Sequence, residues 1–311
     1  MRIAVMGTGA VGGYFGAKLA HADHELAFIA RGRHLEAMRR HGLRVLSPYG
    51  DLHVSRALFT DDPAQAGEAD LVLFCVKSYD TEAAAAVIRP MVARRTMILS
   101  LQNGVDNAEK IARLWGEQQT LAGVVYVGAQ VDSAGVVRHS TGGKIVFGRP
   151  VGGTDGATDS IARALAGADI PNELSRHIRK AQWSKLLWNA PFCALSCFTR
   201  APMEEILRSE ALLESALECM GEVQAAAATC GIELPRRLFD QTIEFSKGLG
   251  RFRPSMLQDL EAGKPLEHEA FNGVVVRLLR QVGKKAPVNQ AFYAALQLLD
   301  ERIRAAGSVP S

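Results

Sequence analysis
The chain is 311 residues long, 48% hydrophobic and 22% charged, with a formal net charge of +3. That length suits two domains, and that composition an ordinary globular protein. The small charge, with no long basic run, argues against a nucleic-acid partner. No apolar stretch approaches the roughly 18 residues of a membrane span. Five cysteines, Cys75, Cys193, Cys197, Cys219 and Cys230, form no C-x-x-C pair. Their odd number argues against a disulfide framework and for a reducing, cytoplasmic setting. No metal-ligand set is read. The apolar start, Ile3–Met6, is too short for a secretory leader and runs straight into glycines.

That run is the first predicted strand. Gly7, Gly9 and Gly12 follow it in G-x-G-x-x-G spacing, and a helical pattern begins at once with Ala10, Val11 and Phe15. Between a strand and a helix, this spacing marks a dinucleotide-binding turn. The first glycine allows the tight turn, the second lets backbone approach a pyrophosphate, and the third lets the helix lie close on the strand. The loop Gly7-Thr8-Gly9-Ala10-Val11-Gly12 is therefore expected to hold the phosphates at the helix N-terminus.

A second strand is predicted at Leu26–Ala30. An NAD-binding strand usually ends here in a carboxylate for the ribose 2′-hydroxyl. This one ends in Arg31, with Arg33 and His34 behind it. A guanidinium grips a phosphate through two parallel hydrogen bonds, so NADPH is expected rather than NADH. Arg33 is read as the more solvated of the two arginines.

Leu71–Val76 is a continuous apolar run, as in a buried parallel strand, and Lys77 stands at its carboxyl end. The pattern predicts a helix over Thr81–Val92, a strand over Thr96–Leu101 ending at Gln102-Asn103-Gly104, and a helix over Ala108–Leu114. Leu121–Val131 is strand-rich. Val136–His139 and Lys144–Phe147 read as antiparallel strands separated by Thr141-Gly142-Gly143. After a Gly-rich stretch at Val151–Gly156, Ala162–Ala166 and Ile170–Leu174 add a helix and a strand. Ligands bind at the carboxyl ends of strands in such sheets, which singles out Lys77 and Asn103.

From Ser175 the periodicity is helical, with breaks near Pro202, Gly231–Pro235, Gly248–Pro254, Gly263–Pro265 and Gly283–Pro287. The expected division is residues 1–176, an NADP-binding domain, and 177–311, a helical substrate and catalytic domain. The fold class is α/β: an N-terminal Rossmann-type doubly wound sheet with an all-helical C-terminal domain. On the helix Ile178–Phe198, Lys185, Asn189 and Cys193 recur every four residues and share one face. Lys185 lies between Trp183 and Trp188 in an apolar segment. Desolvation there lowers a lysine pKa and suits it to proton donation. Pro191 is expected to kink this helix. Ser255, with Gln258 three later, resembles a capping box, and Glu267 and Asn272 are expected to border one cleft while Glu269 is solvated.

Taken in order, these pieces resemble the ketopantoate reductase (2-dehydropantoate 2-reductase) family over essentially the whole chain. The shared motifs are the glycine loop with Arg31, Cys-Val-Lys77-Ser, Leu-Gln-Asn103-Gly-Val, Trp183-Ser-Lys185-Leu-Leu-Trp-Asn189, Ser255-Met-Leu-Gln-Asp259, and Glu267 followed by Asn272-Gly. The resemblance implies reduction of 2-dehydropantoate to pantoate with NADPH, in pantothenate biosynthesis. It implies Lys185 as general acid and Glu267 as the essential carboxylate beside the substrate. It implies Asn103, Asn189 and Ser255 as substrate-binding residues, with Cys193 at the substrate's far end, and Lys77 as a lysine lining the active site; Lys77 and Asn103 are expected to serve the cofactor as well as the substrate, and a homodimer is admitted as an assembly. One departure stands out. The family often has a second asparagine four residues after the position of Asn189, and this chain has Cys193 there. A thiol bonds weakly, so the far end of the substrate is expected to differ. The alternatives are a reductase of another 2-oxo acid and a non-catalytic NADP(H)-binding sensor, which would need neither Lys185 nor Glu267.

Overall fold
The computed structural model describes residues 1–307. Two compact units divide the chain, Met1–Arg179 and the residues from Lys180 onward.

The first unit holds ten strands: β1 (Arg2–Met6), β2 (Glu25–Ile29), β3 (Leu43–Leu46), β4 (Leu52–Val54), β5 (Leu58–Thr60), β6 (Ala69–Phe74), β7 (Val92–Ser100), β8 (Thr120–Ser133), β9 (Val136–Gly148) and β10 (Asn172–Leu174). They form one sheet in the order β4-β3-β9-β8-β7-β6-β1-β2-β5, with β10 alongside β9. Within it, β5-β2-β1-β6-β7-β8 are all parallel. That is the doubly wound dinucleotide-binding order, and its winding reverses between β1 and β6. The apolar runs are continuous because both faces are covered. Ile3, Val5, Phe28, Leu71, Leu73 and Leu99 pack on one side. Ala4, Met6, Ile29, Val72, Phe74 and Ile98 pack on the other.

Two expectations need correction. The helix predicted over Thr81–Val92 is Thr81–Val87 followed by a 3₁₀ turn at Arg89–Met91, and β7 already begins at Val92. Pro90 lacks an N–H and disfavours helix in the residue before it, so the helix ends early. The two strands predicted around Thr141-Gly142-Gly143 are one strand, β9, 13 residues long. It pairs antiparallel with β8, and the register slips between Tyr126↔Lys144 and Val127↔Gly142. Gly142 and Gly143, at φ +75° and +123°, absorb the extra residue as a bulge instead of reversing the chain. The short strands β3, β4 and β5 carry too little period-two signal to be read from sequence.

The residues from Lys180 onward are helical, with no strand among those described. Ile178–Thr199 is followed by helices Met203–Arg208, Glu210–Thr229, Arg237–Lys247, Ser255–Glu261, Val274–Gln281 and Pro287–Gly307, with a π-helical turn at Glu269–Gly273. The interruptions fall at the predicted Gly and Pro positions except for the one at Ser209, whose side chain caps the helix Glu210–Thr229 and which the sequence reading did not mark. Pro191 lies inside its helix without ending it. Among the described residues no helix is long and apolar enough to cross a membrane, and no cluster of His, Cys, Asp or Glu is arranged to hold a metal ion.

Candidate active site
At the switch point, Gly7 adopts φ +96°, and a Cβ there would sit 2.7 Å from the Val76 amide nitrogen. β1 and β6 therefore come together at their carboxyl ends only because residue 7 has no side chain. A Cβ on Gly12 would lie 2.3 Å from the Gly7 carbonyl oxygen and 2.8 Å from Val5, so the following helix, Ala10–His21, rests directly on the turn. At Gly9 the Cβ position has no protein atom within 4 Å. Packing requires glycine at 7 and 12; at 9 the structure leaves room that a close-lying ligand can use. The helix begins with neither a side-chain cap nor an acidic residue in its first turn, so its positive end suits an anion. Thr8 is buried and its hydroxyl donates to the Ile29 carbonyl at 3.1 Å, tying the loop to β2. These features fit a dinucleotide pyrophosphate. Arg31 stands one residue past β2, occupies the N-cap position of the helix Gly32–His41 without a side-chain cap bond, and is exposed, as is Arg33. His34 instead turns back to the sheet, accepting the Gly135 amide at 3.0 Å.

Lys77 and Asn103 stand at the ends of the neighbouring strands β6 and β7, both half-buried. Beneath them lies a polar cluster that sequence reasoning did not single out. Ser100 donates to Gln102 Oε1 at 3.0 Å, Gln102 Nε2 donates to Thr81 Oγ1 at 2.7 Å, and Asn107 Nδ2 donates to the Asn103 carbonyl at 2.7 Å. Its signal was the Gln of Leu-Gln-Asn103-Gly, which reads as an ordinary strand-end residue until its burial is known.

In the second unit Lys185, Cys193 and Glu267 interact electrostatically. Burial lowers the Lys185 pKa to about 8, with Cys193 and Glu267 acting in the opposite direction. Burial also pushes the Cys193 thiol far above its ordinary range. That thiol is neutral at neutral pH, which leaves the carboxyl group of Glu267 as the acidic partner of the amine. Glu267 is 5% exposed and is not a solvated helix-start carboxylate. The Leu266 amide before it donates to Asp300 Oδ1 at 2.7 Å, which pins the segment from the C-terminal helix. Asn189 is buried and its amide makes no hydrogen bond among the described residues, leaving its donor and acceptor available. Cys193 is 1% exposed. It offers a ligand little surface.

Ser255 itself is exposed and opens the helix Ser255–Glu261, whose N-cap is Pro254. It makes no capping box: Gln258 Nε2 donates instead to the Arg253 carbonyl at 2.8 Å. Pro254 takes the cap position with its φ already fixed, so the serine is displaced into the first turn. Asn272 does not border an open cleft. It is fully buried, and its Nδ2 lies 3.1 Å from the Ala190 carbonyl and 2.9 Å from Asn289 Oδ1. It clamps the helix of Lys185 and Asn189 next to Pro191, from a π-helical turn of the kind often found at functional sites. Glu269 is exposed, as expected, and accepts the Tyr293 hydroxyl.

Residues 3–152 match the family described as Ketopantoate reductase PanE/ApbA, and residues 177–300 match its C-terminal region. A 2-dehydropantoate 2-reductase of Mesorhizobium japonicum is 30% identical over 320 residues, covering 96% of this chain and 98% of that one. A PanE/ApbA family ketopantoate reductase from Ralstonia eutropha superposes with a TM-score of 0.91 at 36% identity, over 98% of this chain and 100% of that one. A D-mandelate dehydrogenase in ternary complex with NADH and anilino(oxo)acetate superposes with a TM-score of 0.89 at 19% identity, over 98% of this chain and 99% of that one. At that identity the likeness shows the fold alone.

Proposed function
This chain belongs to the ketopantoate reductase family and is an NADP-dependent oxidoreductase, and from that premise we propose that it reduces a 2-oxo acid to the 2-hydroxy acid, with 2-dehydropantoate as substrate and pantoate as product, in pantothenate biosynthesis. The observation that carries this reading is the desolvated ammonium of Lys185, of pKa about 8, coupled electrostatically to the buried Glu267. An acid of that pKa is charged at neutral pH yet gives up its proton readily.

The reading assigns the cofactor to the first unit, residues 1–176 on the sequence division, and the proton chemistry to residues 177–311. Gly7, Thr8, Gly9, Ala10, Val11 and Gly12 hold the pyrophosphate, Arg31 the 2′-phosphate, and Lys77 and Asn103 the nicotinamide side and the substrate carboxylate. When bound, NADPH supplies the hydride for the C2 carbonyl carbon. Lys185 hydrogen-bonds the C2 oxygen, stabilises the negative charge that develops there and donates the proton that completes the hydroxyl. Glu267 keeps the ammonium charged and oriented. Asn189 and Ser255 bind the substrate's polar groups. Five free thiols support a reducing, cytoplasmic setting.

Cys193 supports a second reading, the same reduction on a 2-oxo acid without a distal hydroxyl, since the thiol is buried and bonds only weakly. A panel of branched and linear 2-oxo acids, ketopantoate included, assayed for NADPH oxidation tests both. The highest kcat/KM on ketopantoate is expected; a higher value on an acid without the hydroxyl favours the second reading, and no oxidation with any of them removes both and leaves a cofactor-binding sensor.

A further inference from the structure
Four polar side chains lie in the apolar interior beneath β6 and β7: Thr81, Ser100, Gln102 and Asn107, at 1%, 3%, 6% and 1% exposure. Burying hydroxyls and amides is costly unless each finds a partner. Here they bond to one another and to two particular stretches of backbone. The Thr81 hydroxyl accepts from Gln102 Nε2 and lies 2.9 Å from both the Ser78 carbonyl and Asn107 Oδ1. Asn107 Nδ2 in turn holds the Asn103 carbonyl at 2.7 Å. A continuous path thus runs from Ser78, next to Lys77, through Thr81 and Asn107 to Asn103. Apolar residues of equal volume would fill this space without the desolvation cost, but would fix neither turn.

We propose that Thr81 and Asn107 are positioning residues that hold Lys77 and Asn103 in one fixed relation, so that these two bind the anionic substrate and the cofactor as a single unit. This rests on the reading of Lys77 and Asn103 as binding residues. Neither Thr81 nor Asn107 touches a ligand. Their effect reaches the ligand only through the backbones of Ser78 and Asn103. Gln102 and Ser100 complete the cluster by orienting the Thr81 hydroxyl.

The test compares Thr81→Val, which removes only the hydroxyl, with Thr81→Ser, which restores it, in the full-length protein. The readings are KM for ketopantoate, Kd for NADPH, kcat and Tm. Leaving buried partners unsatisfied is expected to raise KM or Kd about tenfold in Thr81→Val. Thr81→Ser should return it to within about threefold. Combined with Asn103→Ala, Thr81→Val should lose most of its added effect, because it acts through that residue. A Thr81→Val protein with lower Tm but unchanged KM and Kd overturns the proposal, as does full additivity with Asn103→Ala. Should Thr81→Val fail to fold, Asn107→Ala cuts only the link to Asn103, and unchanged binding in it is equally fatal. Silent Lys77→Ala and Asn103→Ala variants would instead bring down the underlying reading and the positioning role with it. Their being impaired while Thr81→Val is not would sink the positioning role alone.

Discussion
In the first unit the features fitted to a ligand are largely backbone: a turn closed by Gly7, a helix start left uncapped at Gly9, and strand ends at Lys77 and Asn103. In the second they are side chains whose properties come from what surrounds them, chiefly the desolvated amine of Lys185 against Glu267. Backbone geometry of the first kind is stated by residue type and spacing, since glycine is required where a Cβ would collide. An environment of the second kind is assembled from Ile178–Thr199, the segment around Glu267 and the helix Pro287–Gly307, far apart in sequence. The first unit's glycine turn should therefore fail on added bulk at Gly7 or Gly12, and the second unit's site on loss of a single polar group such as the Lys185 amine.

The sharpest way to break this comparison is Lys185→Ala. Loss of the general acid should lower kcat by about a hundredfold to ten-thousandfold. Kd for NADPH should stay within about twofold, because the phosphate contacts are assigned to the glycine loop and Arg31. Fluorescence titration with NADPH alongside steady-state turnover checks both. Near-normal turnover in the folded variant would reduce Lys185 to a packed, snorkelling lysine.

Arg31→Ala probes the other unit. A charge-assisted bidentate contact to a 2′-phosphate is worth about 1.5–3 kcal/mol, so NADPH should bind about ten to a hundred times more weakly. NADH should be little affected. Equal losses for the two cofactors would show that Arg31 is only the exposed residue it is in the structure.

How much of this was legible follows the same divide. The glycine loop, Arg31 and the strand ends were readable because each breaks a local pattern: glycines interrupt an apolar run, and charge ends a strand. The bulge at Gly142-Gly143 was misread because a positive-φ glycine pair serves a turn and a bulge alike, and only the partner strand decides. On the helical side, the shared face of Lys185, Asn189 and Cys193 follows from spacing, but the depth of each does not. Ser255 lost its expected capping role to Pro254, and Asn272 moved from a cleft border to a buried clamp on Ala190. The Thr81–Asn107 link and the Asp300 anchor join residues 26 and 34 positions away from their partners, which no local window contains.

The Lys185 environment also predicts a divergence between activity and stability with pH. Reduction needs the ammonium, so kcat should fall about tenfold per pH unit above the pKa of about 8. Stability should move the other way. Folded Lys185 loses its proton near pH 8 and the unfolded residue near 10.5. Across that window the unfolded chain holds more protons, so the desolvation penalty is present in full below pH 8 and relieved as pH rises towards 10.5. Lys185→Met should abolish this local contribution and raise Tm at pH 7. A kcat profile flat to pH 10 would contradict the assignment.

The smallest effect sharpens the comparison most, because it asks whether one buried side chain of the second unit sets specificity. Cys193 is coupled electrostatically to Lys185 and Glu267, yet it is 1% exposed. A thiol cannot match an amide that donates and accepts strongly. One such hydrogen bond is worth about 0.5–1.5 kcal/mol, or about two- to tenfold in kcat/KM. The unmodified protein should therefore distinguish ketopantoate only modestly from the analogue lacking its hydroxyl. Cys193→Asn should widen the ratio by about two- to tenfold, provided the larger amide is accommodated at a position already filled. Measuring kcat/KM for both acids in both proteins decides it. A strong preference for ketopantoate in the unmodified protein would mean that an exposed group such as Ser255 holds the hydroxyl, and that position 193 governs packing around Lys185 and not the choice of substrate.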